Sequence, residues 1–129
     1  ACRAGSETPF YFGEINDNFS SYANLADRTL GKMARGNSPA WQPRINSVND
    51  GNMIVTSVGR YEPNIWGLHD MIGNVAEWTA SPYDEASEKF ITRGGSWYDR
   101  PYRATASYKL PYYTHQKVYN VGFRIIISE

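Results

Sequence analysis

The sequence offers almost no sulfur chemistry: Cys2 is the one cysteine among 129 residues. An internal disulfide is excluded, and so is a zinc site built on thiolates. A single thiol leaves the compartment open. Histidine is nearly as scarce, with only His69 and His115, so the chain cannot alone supply a three-histidine metal site. Net charge is missing too. Thirteen Lys and Arg balance thirteen Asp and Glu, which argues against nucleic acid or an anionic membrane as the main partner. No apolar run approaches the length of a membrane-spanning helix. No window sustains apolar residues at helical spacing, and Gly, Pro, Asn and Ser punctuate the chain throughout.

What is present suits one domain over residues 1–129. Aromatic residues make up 15% of the chain, so rings must supply much of its core. The opening "ACRAGSETPF" reads as the end of a helix running into a loop. We therefore expect a fragment, or one piece of a cleaved protein. "TPFYFG" (8–13) and the β-branched "MIVTSV" (53–58) suggest short strands. Residues 14–52 read as long ordered loops. "KFITRGGSW" (89–97) reads as a strand with a bulge at its glycine pair. In "YNVGFRIIIS" (119–128), Tyr119, Val121, Phe123, Ile125 and Ile127 alternate, the pattern of a half-buried strand.

The segment "GLHDMIGNVAEW" (67–78) mixes apolar residues with Asp70 and Glu77 around Gly73. Asp70, Asn74 and Glu77 bring oxygen donors, and Gly73 permits a sharp turn that can aim carbonyls inward. A hard cation such as calcium takes that mixture. A turn carrying two solvated acids fits the same residues. The regular ligand spacing of an EF-hand is absent. A second oxygen-rich place is "NSVNDGN" (46–52), a strong turn signal that also holds Asp50.

Three further segments give these residues a context. "NIWGLHDMIGNVAEWTASPYD", "TRGGSW" and "NVGFRIIIS", in that order, resemble the sulfatase-modifying-factor family, whose name-giving member is the formylglycine-generating enzyme. The resemblance covers the C-terminal part of the family domain. It implies an α+β fold, a loop-rich variant of the C-type lectin fold with little regular structure. It also implies two bound calcium ions. One would be held by the Asp70 side chain, the Gly73 and Val75 carbonyls and Glu77. The other would be held by Asn24, the Leu25 carbonyl, Asp50 and the Asn52 carbonyl. Trp78 and Leu68 would then be the core under the first loop.

The same resemblance bears on activity. The family oxidase needs two cysteines shortly after Gly-Gly-Ser, since soft thiolates select Cu(I). Here that segment reads "GGSWYDRPYRATASYK", with Asp99 at the first position and only Tyr102, Arg103 and Ala104 near the second. Neither copper nor formylglycine generation is expected. Other family enzymes carry iron histidines on a separate module. His69 and His115 are read as surface or packing residues, and Arg93 and Arg124 as structural. In the family the substrate groove lies near the segment after Gly-Gly-Ser, which makes Ser96, Trp97, Asp99 and Arg103 candidate groove residues. Residues 98–120 are rich in tyrosine and basic side chains, the composition of adaptable binding surfaces and equally of a ring-packed core.

The expected function is a calcium-stabilised, non-oxidase binding or accessory module for a peptide, protein or small ligand. The absent N-terminal part, as a separate chain, is a further expected partner. Two alternatives stay open. One is an iron-dependent oxidoreductase with metal ligands on another module. The other is a lectin-like receptor diversified by a retroelement.

Overall fold

The computed structural model describes residues 1–34 and 44–127. The stretch of expected loop at 35–43 and the end of the expected C-terminal strand at Ser128 lie outside the described residues.

Four strands form one mixed sheet. They are β1 (Ala76–Pro82), β2 (Lys89–Arg93), β3 (Leu110–Tyr113) and β4 (Val121–Gly122), in the order β3-β2-β1-β4. β1–β2 and β2–β3 are antiparallel, whereas β4 lies parallel to the start of β1, with Ala76 opposite Val121. The register of β1 and β2 shifts between Trp78 and Pro82, a bulge that lets β1 run past its partner. Two short 3-10 turns, Leu30–Ala34 and Pro101–Arg103, are the helical elements among the described residues.

The core sits mainly beneath loops. Phe10, Phe19, Ala23, Leu25, Val48, Ile72 and Ala104 form one buried cluster, and Ala26, Leu30 and Trp97 form a second. Rings extend the first cluster outward. Phe10 stacks on Phe12 at 4.9 Å between centroids, and Phe12 stacks on Tyr22 at 4.6 Å. Such offset contacts add to area burial alone.

Several expected elements take another form. "TPFYFG" is a tight turn in which Phe10 and Gly13 exchange main-chain hydrogen bonds at 3.0 and 3.4 Å. Residues 53–58 form no strand. Their main chain is held by side chains instead: Asn24 Nδ2 donates to the Ile54 carbonyl at 2.8 Å, and the Asn74 amide clamps Thr56 N–H and C=O at 2.9 and 3.1 Å. The strand expected across 89–97 stops at Arg93. Gly94 and Gly95 take φ +91° and +67°, so the glycine pair turns the chain out of the sheet rather than bulging within it. The C-terminal strand shrinks to two residues. Phe123, Ile125 and Ile127 are exposed past the short β1–β4 pairing, and Tyr119, though largely exposed, meets the rings of Trp97 and Tyr98. Trp78 and Leu68 are half-buried, not central core. Trp78 lies on β1, where its ring meets the edge of Tyr112 at 6.2 Å.

Candidate functional site

The first candidate loop runs from Gly67 into β1. Asp70 and Asn74 adopt left-handed backbone conformations, φ +53° and +60°, which Asp and Asn tolerate better than most residues. Gly73, at φ +77°, stands where a Cβ would come within 2.3 Å of the Asn24 carbonyl oxygen. Only glycine allows that approach. The result is a wall on which Asp70, Gly73, Val75 and Glu77 face one hollow of about 460 Å³.

The two carboxylates are engaged differently. Asp70 Oδ2 accepts the Gly59 N–H at 2.6 Å, while Asp70 Oδ1 is buried with no hydrogen-bond partner. Glu77 accepts from Arg124 at both oxygens, with the shortest contact at 2.9 Å. That hydrogen bond to Glu77 raises the Arg124 pKa above its usual value. Arg124 also donates to the His69 and Asp70 carbonyls at 2.9 and 3.3 Å. An ion in this loop would therefore draw on Asp70 first and share Glu77 with the guanidinium. His69 turns its Nδ1 to the Tyr61 carbonyl at 2.8 Å.

The second group gathers around Asp50. Its Oδ2 accepts the Leu25 N–H at 3.0 Å and its Oδ1 the Asn52 N–H at 2.8 Å. The Asn52 carbonyl accepts the Thr29 hydroxyl, and Asn52 Nδ2 donates to the Tyr61 hydroxyl at 2.6 Å. Burial pushes the Asp50 carboxyl up to about 6, with the neighbouring Asp27 adding to the rise. Asn24 is fully buried, and its Oδ1 has no hydrogen-bond partner. Asp27 was not anticipated. It is fully buried, with Oδ1 accepting the Thr29 N–H at 2.6 Å and Oδ2 accepting the Asp50 N–H at 2.6 Å. Its signal was there in Asp27-Arg28-Thr29, a pattern suited to a local side-chain turn.

The residues thus suit a hard cation on two counts. Both sets are oxygen donors, as calcium requires. Each also holds a buried acceptor with no donor, Asp70 Oδ1 and Asn24 Oδ1. Buried acceptors are rarely left unpaired without a reason such as a bound ion.

The groove candidates divide. Asp99 and Arg103 line a hollow of about 200 Å³ walled by Tyr98, Tyr112 and Tyr119. Arg103 Nη1 lies 3.6 Å from Asp99, and its Nε donates to the Tyr108 hydroxyl at 3.1 Å. Ser96 is fully buried behind this wall. Its hydroxyl donates to Asp99 Oδ2 at 2.6 Å and accepts from Asn120 at 2.7 Å. Trp97 is also buried, packing with Ala26 and Leu30 and touching the rings of Tyr98 and Tyr119. Ser96 and Trp97 shape the groove from behind without lining it. Tyr98, Tyr112, Tyr119 and Asn120 join it from the same tyrosine-rich stretch, 98–120.

Cys2 is elsewhere. Its Sγ donates to the Met71 carbonyl at 3.6 Å, and burial pushes its pKa up, so it stays a thiol.

Residues 1–129 match the family described as "Sulfatase-modifying factor enzyme 1-like domain" from end to end. The chain belongs to that family. Among curated family relatives it is similar to "Inactive C-alpha-formylglycine-generating enzyme 2" of Bos taurus, 35% identical over 65% of this chain and 31% of the relative. The protein of the same name from Mus musculus is 34% identical over 68% of this chain and 32% of its own length. "Formylglycine-generating enzyme" of Mycobacterium tuberculosis is 36% identical over 63% of this chain and 27% of that protein. This family member thus spans about a third of the length of those relatives. Among solved structures, "Treponema denticola variable protein 1" superposes with a TM-score of 0.70 at 16% identity, over 95% of this chain and 41% of that one. PvdO from Pseudomonas aeruginosa gives 0.69 at 24% identity, over 95% and 46%. These likenesses speak to the fold: mostly loop, a mixed sheet and almost no helix.

Proposed function

We propose that this chain is a calcium-stabilised, non-oxidase binding module, presenting its tyrosine-walled groove to a peptide, protein or small ligand. Its fold we read as the α+β, C-type-lectin-like variant that the family resemblance implies. The observation that carries the proposal is the set Ser96–Asp99–Arg103–Tyr108 beside the groove, joined by two hydrogen bonds and the Asp99–Arg103 ion pair. A carboxylate paired with a guanidinium stands where the oxidase of the family places a copper thiolate. Two relatives whose names call them inactive fit this reading.

Calcium is supported by the two unpartnered buried oxygens, Asp70 Oδ1 and Asn24 Oδ1. Bound there, the ions would supply charge that regular hydrogen bonding does not. The proposal extends to a partner. The exposed flank of Tyr119, Phe123, Ile125 and Ile127 suits the remaining part of a family domain, since the relatives carry about two thirds of their length beyond the matched region.

Two measurements test the reading. Copper, oxygen and a Cys-x-Pro-x-Arg peptide should give no formylglycine, and its appearance would end the non-oxidase proposal. Peptides selected on the wild-type chain should lose binding to Tyr112→Ala. Equal binding to that variant would move the ligand away from the groove. The iron-dependent alternative gains if the parent gene encodes a histidine-bearing module. The receptor alternative gains if a degenerate copy of residues 98–120 accompanies it.

A further inference from the structure

We propose that the two cation sites are coupled, the first ion tightening the second, through the strap of residues 54–59 that Asn24, Asn74 and Asp70 hold in common. This rests on the calcium reading above.

The Gly73–Asn74 peptide carries the carbonyl assigned to the first site. Its N–H, on Asn74, donates to the Asn24 carbonyl at 2.9 Å. The next peptide, Asn24–Leu25, points its N–H at Asp50 Oδ2 at 3.0 Å, inside the second site. An ion on the Gly73 oxygen polarises its peptide and strengthens the N–H it presents to Asn24. That in turn strengthens the Leu25 N–H held by Asp50 and draws charge from its carboxylate, so this line alone would oppose the second ion. The junction is main chain against main chain. Asn24 and Gly73 form a parallel bridge, and a Cβ at residue 73 would lie 2.3 Å from the Asn24 oxygen. Neither loop can shift without moving the other.

A second connection runs alongside. The strap of residues 54–59 is held by Asn24 at Ile54, by Asn74 at Thr56 and by Asp70 at Gly59. Asn24 and Asp70 are also the residues with unpartnered oxygens. An ion that fixes either residue fixes one end of the strap and lowers the ordering cost at the other. Two dications repel each other. The carboxylates of Asp70 and Glu77 on one side and of Asp50 and Asp27 on the other offset that repulsion, and the shared ordering sets the sign.

Calorimetric calcium titration of metal-stripped protein tests this, with each site silenced in turn by Asp70→Asn or Asp50→Asn. Coupling predicts that each change weakens the remaining site about tenfold, by matching factors, because linkage is reciprocal. Asn74→Gly keeps the left-handed backbone and every ligand but removes the clamp on Thr56. It should leave two ions bound with a shallower isotherm. Should an aspartate variant fail to fold, the comparison of wild type with Asn74→Gly still decides. Two ions bound with single-site affinities unchanged, or a second ion bound more weakly, or identical isotherms for wild type and Asn74→Gly, would overturn the coupling and leave the calcium reading standing. No heat and no change in melting temperature would overturn both.

Discussion

The apolar run at 119–127 and the polar loops at 24–29 and 67–74 have exchanged the places their compositions suggest. Ile126 is 86% exposed, while Asn24 and Asp27 are 0% exposed. Hydrophobic alternation fixes a strand's two faces but does not supply the layer that covers one of them. The loops carry their own cover. The buried polar side-chain atoms in them meet specific donors or acceptors, apart from Asn24 Oδ1 and Asp70 Oδ1.

The contrast breaks most readily at Gly73. Gly73→Ala puts a methyl group 2.3 Å from the Asn24 oxygen at a positive φ. Backbone cannot yield as a side-chain tip does, so the loss should reach ~4 kcal/mol or prevent folding. A melting curve within a few degrees of wild type would show that the two loops are not held together there. Asp70→Ala should follow at ~3 kcal/mol in calcium-containing buffer, through the lost Gly59 hydrogen bond and the lost charged ligand. Adding a chelator should then change its melting temperature far less than that of wild type. An unchanged melt in calcium would mean the carboxylate holds nothing.

The expectations drawn from sequence separate along the same division. The oxygen-rich segments around Asp70 and Asp50 were singled out through motif resemblance; Asp70, Gly73, Val75 and Glu77 line one hollow, and the Leu25 and Asn52 N–H groups both donate to Asp50. The bulk of the strand pattern was not legible. β1 had been assigned no element, since "AEWTASP" has no strict alternation, and it forms by pairing with β2. Residues 53–58 have strand composition but find side-chain amides instead of a partner strand. Local propensity describes a preference, and long-range partners decide whether it is used. The groove was half legible. Asp99 and Arg103 line it, whereas Ser96 and Trp97 stand behind it.

Acid titration sharpens the comparison further. Asp50 is 3.8 in its ordinary state and about 6 in the fold, raised by burial. The folded state therefore binds the proton more readily than the unfolded chain. In chelator, stability from this group is full below about pH 4 and is lost as pH rises through 6, by ~2 kcal/mol. Calcium should flatten or reverse that fall, because an ion favours the charged carboxylate. Thermal melts at pH 4 and pH 7, with and without chelator, measure it. A metal-free protein equally stable at both would show that Asp50 is solvated.

The smallest effect is expected where the sequence looks most like core. Ile125→Ser removes a β-branched side chain from a run of three isoleucines, yet in this chain that side chain is mostly in water. An exposed apolar residue contributes little to folding, so chemical denaturation should move by less than ~0.5 kcal/mol. The identical substitution should matter much more once the flank is covered, since a buried Ile side chain is worth ~1.5–3 kcal/mol. The two numbers therefore report on different things: the first on the flank in water, the second on the same flank under the proposed partner. A large loss in the isolated chain would mean that 123–127 folds back onto the protein in solution, and the flank would then no longer be open to a partner.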